Sequence, residues 1–278
     1  MKAAKILELD SLNFVEGSFA DLADPESALP ILSCRPEEGR LLVDENEDLL
    51  AVAFKTGDDW IGASYLFHPP ESEVIDLFDE IDAEMYQEKR EVWAAAMREY
   101  YSTELLRTVS PTMEDIPPDR QDKIVDLVRE VWEEKEGGVC LDCCCGSGVG
   151  AAALRSIGMR PLAYDHDPTL LALGLGEGRL LTDETACIDA TDATVYFSPA
   201  PYGAVFMMGT IRSFDAEIWE AITAELLELS EETLITVATE EEIRLVAEWC
   251  RLAGRTTEVR ENTRDPIYDR WVCLARRG

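Results

Sequence analysis

Residues 139–150 read Val-Cys-Leu-Asp-Cys-Cys-Cys-Gly-Ser-Gly-Val-Gly. No other stretch limits the fold so tightly. An apolar run suited to a buried strand ends at Asp142. Glycines follow, and then small and apolar residues resume in a pattern that fits a helix. Glycine reaches positive φ at little cost and lets another molecule approach the backbone. A helix opening behind such a turn aims free N–H groups into the same space. The segment therefore predicts the first strand, turn and helix of a parallel α/β sheet, with a ligand at the strand's carboxyl end. Asp142 narrows the choice of ligand. A carboxylate just ahead of the glycines repels a pyrophosphate and attracts an ammonium group. That favours a nucleoside bearing an amino acid over a dinucleotide.

Downstream the pattern alternates. Strands are expected at 139–144, 160–164, 185–188, 204–208 and 233–238, and helices at 149–156, 168–181, 215–229 and 240–253. Two last strands, near 257–260 and 268–275, have only a short loop between them. Helical crossovers imply parallel neighbours, and a short link requires an antiparallel one. The expectation is a mostly parallel seven-stranded sheet with an antiparallel last strand.

The 139–150 segment resembles the first motif of class I S-adenosylmethionine-dependent methyltransferases, a strand, an acidic residue and three alternating glycines. Asp142 matches the acidic residue, and Gly146 and Gly148 match the second and third glycines, with Ser147 between them. Cys144 stands where the first glycine belongs, which is a departure from the pattern. Ala163-Tyr164-Asp165-His166-Asp167-Pro168 is similar to the second motif, and Ile188-Asp189-Ala190 to the third. The resemblance covers residues 139–278 and implies a Rossmann-like fold with S-adenosylmethionine as cofactor. On it, Asp142 would hold the amino acid end, Asp165 the ribose and Asp189 the adenine. His166 would pack at the adenine edge, Ala190 would follow the adenine contact, and Met208 would end the fourth strand facing the methyl donor. Plainer roles exist for each carboxylate. Asp142 could cap the short helix, Asp165 could serve a turn before Pro168, and Asp189 could be loop material.

The activity implied is methyl transfer to an unidentified small-molecule or protein acceptor. Ser198-Pro-Ala-Pro-Tyr202 is a poor match to the Asn/Asp-Pro-Pro-Tyr motif of amino-methylating relatives. No catalytic base stands out. Besides a metal or cluster protein built on the cysteines, two alternatives stay open. A nicotinamide-dependent (NAD(P)) oxidoreductase is one, because Gly146, Gly148 and Ala151 also fit that fingerprint. A non-catalytic nucleoside- or partner-binding protein on the same fold is the other.

The first half reads as an α+β module over residues 1–136, a possible substrate-binding cap. It has a small sheet at about 40–67, one long helix or two stacked ones at about 72–107, and a helix at about 118–135. The boundary is placed at 136/137, where the acid excess falls and cysteines become frequent. A formal charge of −32 argues against a nucleic-acid partner, because phosphates are held by clustered Lys and Arg. No run of about 18 apolar residues suggests a membrane span. The first ten residues lack the apolar core of a signal peptide. Eight cysteines, three of them consecutive, are unlike a secreted disulfide framework. A cytoplasmic protein is expected. Cys140 and Cys143 form a C-x-x-C without a second pair, so they are read as small core residues and no metal site is predicted.

Overall fold

A computed structural model describes residues 1–79, 81–132 and 137–278. The chain divides into two compact units, Met1–Arg107 and Thr108–Gly278.

The first unit is built on strands β1 (Asn13–Phe14), β2 (Glu38–Val43), β3 (Leu49–Thr56), β4 (Asp59–Ser64) and β5 (Asp82–Gln87), in the order β1-β4-β3-β2-β5. Strands β2, β3 and β4 form an antiparallel meander, and β1 and β5 join its flanks in parallel. The β2–β3 turn is pinned by Asp44, whose carboxylate accepts from the Asn46 and Asp48 N–H groups at 2.9 and 3.0 Å. The α-helices described here are α1 (Lys2–Ile6), α2 (Pro25–Ala28), α3 (Ser72–Asp79) and α4 (Arg90–Thr108). Val52, Phe54, Ala63 and Tyr65 pack with Ala28, Ile31 and Val74 in one cluster. Trp93 of α4 is fully buried, and its indole N–H donates to Ser64 Oγ at 3.1 Å. Tyr100 stacks edge-on to Phe14 and Tyr101, with ring centres 4.9 and 5.0 Å apart.

The helical expectation for 72–107 fails in its middle, where β5 intervenes between α3 and α4. Strand β2 would otherwise leave a row of N–H and C=O groups unpaired. The segment satisfies that row in parallel register from Glu38↔Asp82 to Val43↔Gln87. Tertiary pairing thus overrides a spacing that carried only weak helical information. Glu80 lies outside the described residues.

The second unit contains α5 (Arg120–Trp132), β6 (Val139–Cys143), α6 (Val149–Ser156), β7 (Arg160–Asp165), α7 (Pro168–Gly176), β8 (Thr185–Cys187), α8 (Ala193–Tyr196), β9 (Ala200–Val205), α9 (Ala216–Leu229), β10 (Ser230–Val237), α10 (Glu240–Leu252), β11 (Arg255–Glu261) and β12 (Trp271–Arg277). The strands form one sheet in the order β11-β12-β10-β9-β6-β7-β8. Pairs among β10, β9, β6, β7 and β8 are parallel, and β12 runs antiparallel to both β10 and β11. This is the Rossmann-like, mostly parallel seven-stranded sheet with an antiparallel last strand that was expected.

Among the boundaries that differ from expectation, two bear on the site. The division falls after Arg107 instead of at 136/137. Helix α5 buries Ile124, Leu127, Val128 and Trp132 in one cluster with Cys140, Leu154 and Phe206, so its apolar face belongs to the second core. The expected end of that helix at 133–135, and residue 136, lie outside the described residues. The fourth strand is Ala200–Val205, not 204–208. It stops because Met207 turns to φ 59° and donates its N–H to Thr236 Oγ1 at 2.7 Å, leaving the ladder. Among the described residues no helix is long and apolar enough to cross a membrane.

Candidate functional site

From the central strand β6 the chain builds one side of the sheet through β7 and β8, then returns to build the other through β9 and β10. Ligands in open α/β sheets bind where the order reverses, outside the carboxyl ends of the two strands that flank the switch. Here that place lies at the ends of β6 and β9.

The loop after β6 is shaped by alternate residues. Cys144, Gly146 and Gly148 have φ of 53°, 53° and 80°, so all three positions of the glycine pattern are left-handed. The reasons for small residues differ along the loop. A Cβ on Gly148 would stand 2.5 Å from Leu180, and one on Gly150 would stand 2.4 Å from Phe206. A Cβ on Gly146 would meet nothing within 4 Å. Glycine is thus needed for packing at Gly148 and Gly150, while Gly146 faces open space. Ser147 is buried, and its hydroxyl has no hydrogen-bond partner among the described residues.

Asp165 ends β7 and ties the second strand to this loop. Its Oδ2 accepts the Gly146 N–H at 2.9 Å, and its Oδ1 accepts the Asp167 N–H at 2.9 Å. An ionised carboxylate has about four acceptor sites, so two remain for further donors. His166 is exposed and sets Nδ1 3.4 Å from Asp165 Oδ1. Asp167 caps α7 by accepting from the Thr169 N–H at 2.8 Å and the Leu170 N–H at 3.4 Å.

Asp142 is 1 % exposed and points beneath the opening of α6. It accepts the Ala151 N–H, while its Oδ2 has no partner. Burial, and the nearby Asp165 charge after it, push its carboxyl up to about 7 against the Ala151 hydrogen bond. The geometry is that of a helix cap supplied from the strand below. In this structure the Asp142 carboxylate supports the loop from underneath through the Ala151 N–H.

Asp189 and Met208 end in opposite environments. Asp189 is exposed and accepts the Thr191 N–H at 2.9 Å and hydroxyl at 2.8 Å, capping a short turn in which Ala190 is buried. Met208 is fully buried and donates its N–H to the Thr236 carbonyl at 2.9 Å, three residues beyond the true end of β9. It does not face the crevice as expected, because β9 ends earlier and the chain turns inward. Asp165, Gly146, Cys144 and His166 are the expected residues that stand together.

All eight cysteines are free thiols, with Cys140, Cys143, Cys250 and Cys273 buried and Cys144 and Cys145 half-buried. Burial pushes the Cys140 and Cys145 thiols well up. Cys143 and Cys144 place their sulfurs 3.7 Å apart. The sequence reading missed a buried pair at the ends of β9 and β10. Arg120 Nε lies 3.3 Å from Asp269 Oδ2, and Asp269 Oδ1 accepts the Thr236 hydroxyl at 2.5 Å. The pair spans 149 positions of sequence, which no local spacing reveals.

No family model matches the sequence, and no curated protein matches it. Solved structures do. A magnesium protoporphyrin IX methyltransferase from Synechocystis with bound S-adenosylmethionine is 11% identical, with 66% of this chain and 96% of that one covered at a TM-score of 0.46. A ribosomal protein L11 methylase from Lactobacillus delbrueckii is 14% identical, with 59% and 91% covered at 0.45. A precorrin-6y C5,15-methyltransferase from Geobacter metallireducens is 10% identical, with 61% and 94% covered at 0.44.

Proposed function

We propose that this chain is a class I S-adenosylmethionine-dependent methyltransferase whose cofactor site is the crevice beyond the carboxyl end of β6, between the ends of β9 and β7. The observation that carries the reading is the joined pair of strand ends. The Gly146 N–H is held by Asp165, and the side of Gly146 that a Cβ would fill is open. A ligand can therefore lie against the Gly146 backbone with a carboxylate beside it. Asp165 would accept from the ribose hydroxyls with its remaining lone pairs, a charge-assisted contact. Gly146 and Ser147 would line the amino acid end, and His166 and Asp189 would border the base.

When bound, S-adenosylmethionine supplies an electrophilic methyl group on a sulfonium. The chain's part is alignment and exclusion of water, which suffices for a displacement at carbon. Asp142 keeps the loop seated from below. The acceptor is a small molecule or a protein that is not a polyanion, since the formal charge of −32 opposes one. The nicotinamide alternative is weakened by Asp142, which takes the Ala151 N–H that a pyrophosphate at this helix would use.

Calorimetry with S-adenosylhomocysteine tests the reading. Binding is expected, and Asp165→Ala should weaken it by at least about tenfold, the effect of losing hydrogen bonds to a charged acceptor. Tight NADH binding without nucleoside binding would reverse the assignment. Binding with no transfer of a tritiated methyl group to any fraction of cell extract would favour the non-catalytic alternative.

A further inference from the structure

Strand β9 leaves the sheet on a strained turn. Met207 holds φ 59°, a left-handed backbone that a methionine keeps only where its surroundings impose it. Those surroundings are a ring of hydrogen bonds. The Met207 N–H donates to Thr236 Oγ1 at 2.7 Å, and the Thr236 hydroxyl donates to Asp269 Oδ1 at 2.5 Å. Arg120 Nε donates to Asp269 Oδ2 at 3.3 Å, and Arg120 Nη2 donates to the Phe206 carbonyl at 3.5 Å. The Phe206 carbonyl and the Met207 N–H belong to one peptide unit, so the ring grips both polar groups of that peptide. Thr236 and Asp269 are buried, and Tyr268 lies against the guanidinium with its ring centre 4.9 Å from Arg120 Cζ. A buried polar network whose members are paired specifies one arrangement.

The gripped peptide stands beside the glycine-patterned loop. Strand β9 runs parallel to β6 with Ala204 opposite Asp142. Continued two residues, that register brings Phe206 level with Cys144, the first left-handed residue after β6. The Phe206 ring also fills the space where a Cβ on Gly150 would stand, at the opening of α6. The Phe206–Met207 peptide is therefore the β9 wall of the crevice. On the methyltransferase reading, the ribose lies by Asp165 at the end of β7, and the amino acid end lies by Gly146 and Ser147 after β6. The sulfonium joins those two parts. Its remaining substituent, the methyl group, is left the β9 side.

We propose that Thr236, Asp269 and Arg120 are positioning residues for methyl transfer, which act through the Phe206–Met207 peptide to fix the wall where the donor methyl and its acceptor align. The proposal rests on the methyltransferase reading and deepens it. Transfer by displacement depends on alignment, and a misplacement of about 1 Å can cost about a hundredfold in rate. Donor affinity depends on other contacts, at β6 and β7. Disturbing the ring should therefore slow transfer far more than it weakens nucleoside binding.

The test compares the full chain with Thr236→Val, which keeps the shape and removes the hydroxyl, and with Thr236→Ser, which keeps the hydroxyl. Each is measured by calorimetry with S-adenosylhomocysteine and by the initial rate of tritiated methyl transfer from saturating S-adenosylmethionine to cell extract. Thr236→Val should bind S-adenosylhomocysteine within about threefold of the parent and transfer at least about tenfold more slowly. Thr236→Ser should recover most of the rate. If Thr236→Val does not fold, Arg120→Gln takes its place, since that side chain is 11 % exposed and its loss leaves the bond from Met207 to Thr236 intact. An unchanged rate, affinity and rate that fall in parallel, or a serine variant as slow as the valine one would each overturn this proposal while leaving the methyltransferase reading in place. A parent chain that binds no S-adenosylhomocysteine, or that binds it and transfers nothing, would overturn that reading and this proposal with it.

Discussion

Cys144 holds a left-handed backbone, φ 53°, that an L side chain adopts only at a cost. Its neighbours at the alternate positions are glycines, and nothing in the loop relieves it of the same turn. Replacing it with glycine should stabilise the second unit by about 1 kcal/mol, the usual penalty for such a residue less the freedom glycine gains on unfolding. Urea denaturation of Cys144→Gly against the parent reads this directly. Asp142 makes a second prediction, in pH. Its carboxyl titrates at about 7 when folded, against an ordinary 3.8. Between those values the folded chain holds a proton that the unfolded chain has released. Stability therefore declines as pH rises from about 4 to 7 and levels off above. Asp142→Asn cannot ionise and should remove that part of the decline in a series of melts across this window. Glu16 in the first unit, pushed by burial from 4.5 to about 7, contributes in the same direction and keeps some slope in place.

Helix α5 separates the two possible ways of dividing the chain. It buries Ile124, Val125, Leu127, Val128 and Trp132 in the second core. At about 1.5–3 kcal/mol for each large apolar side chain, that burial rivals the net stability of a domain. A fragment of residues 108–278 should unfold cooperatively, and one of residues 137–278 should not, as circular dichroism on heating would show. The sequence pattern found this helix but assigned it to the wrong unit, because a hydrophobic face does not say what covers it. Elements with strong local signals were legible: α6 falls at 149–156 as read, and β6 and β7 match within one residue. Their ends are set by Asp142, Pro168 and the glycines, all visible in the chain. Strands β1 and β5 were not legible, since two and six residues with mostly exposed side chains carry no burial pattern. Pairing alone makes them strands. At the site, Asp165 and Gly146 were legible because a motif brings them together. The inward turn at Met207 was not, because a left-handed methionine held by Thr236 is a tertiary fact.

The whole chain carries 57 acidic and 25 basic residues, so self-repulsion opposes the folded state at low ionic strength. Raising salt from about 0.01 M to 0.15 M shortens the screening length from about 30 Å to about 8 Å. The melting temperature should rise over that interval, and calorimetric scans at fixed pH would measure it. The acidity also reaches the margins of the sheets. In the first unit, β5 presents Asp82 and Glu84, with Glu84 paired to Arg40 across the ladder at 3.1 Å, and β1 is two residues long. In the second, β8 has three residues and β11 carries Glu258 and Glu261. Strands this short or this charged make poor templates for a newcomer's backbone. Concentrated preparations should consequently resist fibril growth, and exchanging Asp82 and Glu84 for valine would put that resistance at risk.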